Sequence, residues 1–168
     1  DHESSVILDQ VNNKIENQYF RLILNPEDGT VVSLFDKKNN KELVMQDSDE
    51  KFGQYILERP GYEKIRAYNQ AYIKPGAEGW ANEEMIRPRI PYDKSTDFTG
   101  SFKKIEYLAM KNAGRVTIFA ELNDPDRQKY LITYTLYEDQ PYVEINWAVD
   151  GKVPNPLPEA GWQEFGHP

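Results

Sequence analysis

Cysteine is absent from the 168 residues, which excludes a disulfide framework and thiolate chemistry but names no compartment. Histidine is scarce: His2 and His167 stand at opposite ends of the chain. A zinc site needs ligands converging from fixed elements, and a Ser-His-Asp triad needs a held imidazole, so two terminal histidines suit neither. No apolar run approaches the roughly 20 residues of a membrane span. No Lys/Arg cluster is dense enough to follow a phosphate backbone, and a net charge of −8 also argues against a nucleic-acid partner. The opening Asp1-His2-Glu3-Ser4-Ser5 has neither an initiator Met nor a basic-then-apolar leader, so the expectation is a processed chain or a piece of a larger one. No internal repeat or low-complexity tract is present.

What the chain does have is alternation. From Arg115 to Val149 it reads as three strands in succession. Val116, Ile118, Ala120 and Leu122 share one face of the first. Tyr130, Ile132, Tyr134 and Leu136 share one face of the second, opposite Leu131, Thr133, Thr135 and Tyr137. The third places Val143, Ile145, Trp147 and Val149 inward and Glu144 and Asn146 outward, with Trp147 expected in the core. Successive side chains of a strand point to opposite faces, so a period of two marks half-buried strands. The turn-forming runs Asn123–Asp126 and Glu138–Pro141 are short enough to join antiparallel neighbours.

A half-buried sheet needs a second apolar layer, and the first half of the chain supplies it. Residues 1–13 read as a polar lead-in whose apolar cluster is Val6–Leu8, and residues 14–168 as the β-domain. Phe20, Leu22 and Leu24 share a face; Asn25–Gly29 turns, its glycine supplying a positive φ; Thr30–Phe35 returns as a strand, and Glu42–Met45 continues the meander. Phe52–Leu57 reads as a further strand. Tyr62–Ile73 is the segment with helical spacing, carried by Tyr62, Ile65, Tyr68 or Asn69, and Tyr72. Lys74–Gly100 holds three prolines and three glycines and is expected to be a long irregular surface loop, a kind that is commonly functional. Ser101–Met110 resumes as strand. A proline-rich connector over Lys152–Pro158 leads to Glu159–Trp162 and one more strand. The fold class expected is mostly β: a two-layer antiparallel sandwich with one short helix and a long loop.

Two places could meet a ligand. Trp80, Arg87, Arg89, Tyr92 and Asp93 crowd one stretch of the long loop, and Glu159 and Trp162 follow the connector. An aromatic face against the apolar side of a pyranose, with charged groups on its hydroxyls, is how sugars are held, and both sets offer both kinds of group. The plainer alternative is that the tryptophans plug loops onto the sheet while the charges pair locally. Carboxylates are numerous enough for a glycosidase-like pair, yet Asp47, Asp49, Glu50, Asp124, Asp126, Glu138 and Asp139 all read as solvated turn residues. Asp28-Gly29 matches part of a calcium loop without its twelve-residue ligand pattern.

Three stretches carry a family resemblance. They are Ile15–Val44 (IENQYFRLILNPEDGTVVSLFDKKNNKELV), Phe52–Glu58 (FGQYILE) and Leu157–Trp162 (LPEAGW). In this order they resemble the β-domain of the family 38 α-mannosidase-like glycoside hydrolases. The resemblance implies a large sandwich of the galactose-mutarotase-like kind, a supersandwich, following a catalytic domain that holds zinc and an aspartate nucleophile. No stretch here matches those zinc or nucleophile motifs, so no catalytic or metal-binding residue and no cofactor is assigned to this chain. The expectation is a non-catalytic β-domain that packs on the parent's catalytic domain and contributes to carbohydrate recognition. Two alternatives stand beside it: an independent carbohydrate-binding module, and a mutarotase-type enzyme. The second is disfavoured because that chemistry uses a histidine acid and both histidines here are terminal.

Overall fold

The computed structural model describes residues 4–45, 47–77 and 90–165. Five short strands come first: β1 (Ile7–Asp9), β2 (Lys14–Glu16), β3 (Phe20–Leu24), β4 (Val31–Asp36) and β5 (Lys41–Glu42). They form one antiparallel sheet in chain order. Then come β6 (Tyr55–Arg59), the helix α1 (Tyr62–Tyr72), β7 (Thr96–Met110), β8 (Ala113–Leu122), β9 (Lys129–Tyr137), β10 (Val143–Asp150) and β11 (Ala160–Gln163). The second sheet is also antiparallel and runs β10-β9-β8-β7-β6-β11. Among the described residues, two facing antiparallel sheets and one short helix make the β-sandwich that the alternation predicts.

The turns follow from local chemistry. Between β3 and β4 the Gly29 N–H donates to the Asn25 carbonyl and the Asn25 N–H to the Thr30 carbonyl. Gly29 has φ +72°, and a Cβ there would lie 2.6 Å from Ile118 Cγ2, so the residue is needed both for the turn and for the approach of this hairpin to the other sheet.

The sheets close on Ile15, Leu22, Leu24, Val31 and Leu34 from one side and Val116, Ile118, Ile132, Tyr134 and Leu136 from the other. These are the inward positions of the alternating strands, each contributing roughly 1.5–3 kcal/mol when fully withdrawn from water. A smaller cluster of Tyr55, Leu57, Ala120, Leu122 and Tyr130 lies further along the second sheet. There the sheet bends. The first part of β7 pairs with β6 and the rest with β8, with a register shift between Phe102 and Lys104. The bend brings the edge strand β10 near β6, the neighbour of the opposite edge strand β11: Tyr55 on β6 and Trp147 on β10, four places apart in strand order, have ring centroids 5.3 Å apart.

Several expectations change. Trp147 is not a core residue but 46% exposed. Its face is the inward one, as Tyr55 contact shows, but β10 is an edge strand, and the first sheet does not extend over its far end. Strand β7 begins at Thr96, inside the stretch expected to be irregular, because Thr96–Thr99 pair with Ile56–Arg59. Strand β5 ends at Glu42 rather than running to Met45; the Glu42 carboxylate accepts the N–H groups of Leu34, Leu43 and Val44 and turns the chain there. Ile7–Asp9 pairs with Lys14–Glu16, so the first sheet reaches into the polar lead-in.

Candidate functional site

Of the sequence-predicted loop set, Trp80, Arg87 and Arg89 lie outside the described residues. Tyr92 and Asp93 sit against the start of α1. Their carbonyls accept the N–H groups of Tyr62 and Glu63, and Ser95 Oγ accepts that of Gly61. These bonds satisfy donors that a helix N-terminus otherwise leaves unpaired. The approach is close enough that a Cβ on Gly61 would meet the Asp93 carbonyl at 2.3 Å. The Tyr92 ring faces inward and the Asp93 side chain is exposed, so the two serve different surroundings.

Glu159 and Trp162 also part company. Trp162 stands on one face of β11, opposite Ile56 in register, and its indole lies against the Glu164 carboxylate. Glu159, immediately before the strand, is the centre of an ion-pair hub. Its Oε1 accepts Arg59 Nε at 2.7 Å and Asn155 Nδ2 at 2.9 Å, while its Oε2 accepts Lys152 Nζ at 2.6 Å. Arg59 also reaches Asp126 Oδ2 at 3.2 Å and lies over the Phe98 ring. Burial alone would raise the Glu159 pKa, but Lys152, Arg59 and Asn155 outweigh it and hold the carboxyl below the usual range. The hub fastens the connector of residues 151–158 where it crosses from the β10 edge to the β11 edge.

Beside the hub lies a feature the sequence reading missed. The Tyr55 ring packs at a tilt against Trp147 and against Tyr130, each at 5.3 Å between centroids. Its hydroxyl abuts Gly161, where a Cβ would come within 2.4 Å, and feels the charges of Lys152, Glu159 and Asp124. Desolvation raises the Tyr55 pKa, so the phenol stays protonated. One continuous strip therefore runs from the half-exposed Trp147 indole over Tyr55 to Lys152, Glu159 and Arg59. Residue spacing gave no signal for it, because its members come from β6, β10 and the connector.

The remaining carboxylates have structural work. Asp124, expected in a solvated turn, is buried and accepts from the Gln128 backbone and side chain at 3.0 Å each and from the Asp126 N–H. Asp28 accepts from Thr30 and pairs with Lys51 at 2.6 Å, which engages the part-match to a calcium loop within the chain. Among the described residues no group of three or more His, Cys, Asp or Glu is placed to hold a metal ion, so zinc finds no fitting donor set there.

Compared with curated proteins, the chain matches none. Residues 15–155 match the family described as glycosyl hydrolases family 38 C-terminal domain.

Proposed function

The chain belongs to glycosyl hydrolase family 38 as a C-terminal domain, and we propose that it is the non-catalytic β-domain of a larger α-mannosidase-like enzyme. It packs on that enzyme's catalytic domain, which supplies the zinc and the nucleophile, and contributes side chains to carbohydrate recognition. The observation that carries this reading is the family match over residues 15–155, which takes in strands of both sheets and all of the buried two-sheet core except Val6. Residues 14–168 act as the unit in question, with a galactose-mutarotase-like arrangement of the sandwich. The loop residues Trp80, Arg87, Arg89, Tyr92 and Asp93, together with Glu159 and Trp162, are the groups proposed to reach the sugar. A catalytic domain prepared with and without this chain tests the packing: hydrolysis of an aryl α-mannoside, and retention of the catalytic domain on the immobilised chain, should both depend on it. Equal hydrolysis without the chain and no retention would reject the reading.

A second reading, that the chain holds carbohydrate by itself, is favoured by one observation. The Trp147 indole is exposed yet held from behind by Tyr55, which is how a stacking platform is kept ready for a ring.

A further inference from the structure

We propose, on the basis of the carbohydrate-recognition reading above, that the strip between the β10 and β11 edges is a pyranose site, with Trp147 as the stacking face and Lys152 and Glu159 as the hydroxyl-binding groups. Three independent features converge on it.

The first is the indole itself. Trp147 is 46% exposed while the Tyr55 beneath it is buried, so one side of the indole is supported and part of the ring remains open. The apolar side of a sugar ring matches such a surface, and a pre-positioned aromatic loses little entropy on binding.

The second is the polar set. Lys152 has about half its side chain in solvent (49%) although its ammonium is bonded to Glu159, so it offers donors to a hydroxyl while remaining anchored. Glu159 is held by three partners and has only 8% of its side chain in solvent, so its main part is to fix the Lys152 ammonium, leaving one carboxylate edge as an acceptor. Anchored donors and acceptors beside an aromatic face are the polar minimum of a ligand pocket.

The third is Gln163. It stands opposite Tyr55 in register, on the same face of β11 as Gly161, and both polar atoms of its carboxamide are buried without a hydrogen-bond partner. Buried amides are ordinarily satisfied, so an orphaned one beside Tyr55 marks the strip as built for more than packing. Gly161 contributes by having no side chain: any Cβ there would strike the Tyr55 hydroxyl and push the floor out of place.

The test uses the whole chain, labelled with ¹⁵N and titrated with methyl α-D-mannopyranoside while the three tryptophan indole N–H signals are followed. Trp→Phe variants assign the signals. The Trp147 signal should move saturably in the millimolar range. Lys152→Ala should weaken the affinity several-fold, and Trp147→Leu should weaken it about tenfold or more, as followed on the backbone amide signals of the β10 and β11 strands. Because Trp147→Leu alters a half-buried side chain, a dispersed amide spectrum is required of it; the exposed Lys152→Ala variant provides the test should the first fail to fold. Movement of Trp80 or Trp162 with a still Trp147 overturns this site and leaves carbohydrate recognition standing elsewhere. No movement of any indole overturns both this site and independent sugar binding, while packing on a catalytic domain is judged by the retention experiment. A chain that dimerises through β10 and hides Trp147 before sugar is added also overturns the proposal.

Discussion

At the scale of single residues, Tyr134 and Trp147 show opposite ways in which an aromatic departs from a simple inside–outside rule. Tyr134 is fully buried, its hydroxyl has no hydrogen-bond partner, and desolvation pushes its pKa far up. A buried unpaired hydroxyl is costly, so Tyr134→Phe should leave stability unchanged or raise it by up to about 1–3 kcal/mol, as denaturant unfolding will show; clear destabilisation would mean the hydroxyl has a partner. Trp147 is on the inward face but only half covered. Trp147→Ala should cost about 2 kcal/mol, below the roughly 3–5 kcal/mol of a fully buried ring, and a loss in that upper range would return Trp147 to the core. Tyr130 gives a pH signature. Burial is the main cause that pushes its phenol up to about 12 from the ordinary tyrosine value of about 10. The neutral form is favoured in the folded state, so the full stabilisation is present below pH 10. It falls as pH rises from 10 to about 12, by about 2–3 kcal/mol in all. Alkaline unfolding of wild type against Tyr130→Phe measures it; identical profiles would contradict it.

At the scale of elements, glycines and carboxylates fix how strands meet. Gly53 has φ +87°, and a Cβ on it would lie 2.3 Å from the Tyr134 hydroxyl. Gly53→Ala should therefore destabilise by more than about 1 kcal/mol, and Tyr134→Phe should recover part of that loss, leaving the backbone strain. A double-mutant cycle with no coupling would contradict the contact. The Glu159 hub makes the connector and β11 sensitive to acid. Its folded pKa is depressed, so its contribution is present above the unfolded value near 4.5 and is lost as pH falls through the lower folded value. Amide exchange in β11 should accelerate in that window ahead of β8 and β9, and Glu159→Gln should remove the difference. Much of this scale was legible in the sequence. Period-two runs located β8, β9 and β10 and their faces, turn residues located the hairpins, and helical spacing located α1. Coverage was not legible. Alternation says which side a residue faces, and only the placement of β10 at an edge says that Trp147 is half open. Pairing partners across a bend were hidden too, which is why the irregular stretch was drawn five residues into β7 and why the Tyr55–Trp147 strip, assembled from both ends of one sheet, went unseen.

At the scale of the whole molecule, a bent six-stranded sheet and a five-stranded one enclose one main core, and the chemistry-bearing side chains gather where the larger sheet curls back on itself. Most are engaged in holding strands and connectors together. That arrangement suits the task proposed for the domain, presenting a shaped surface to a neighbour and to a sugar. The measurement that tests this most directly is aryl α-mannoside hydrolysis by three samples: this chain alone, the catalytic domain alone, and the two together, each with zinc added. The account predicts no turnover from the chain alone, weak or no turnover from the catalytic domain alone, and restored turnover from the pair. Zinc-dependent turnover by the purified chain alone, abolished by a chelator, would contradict it.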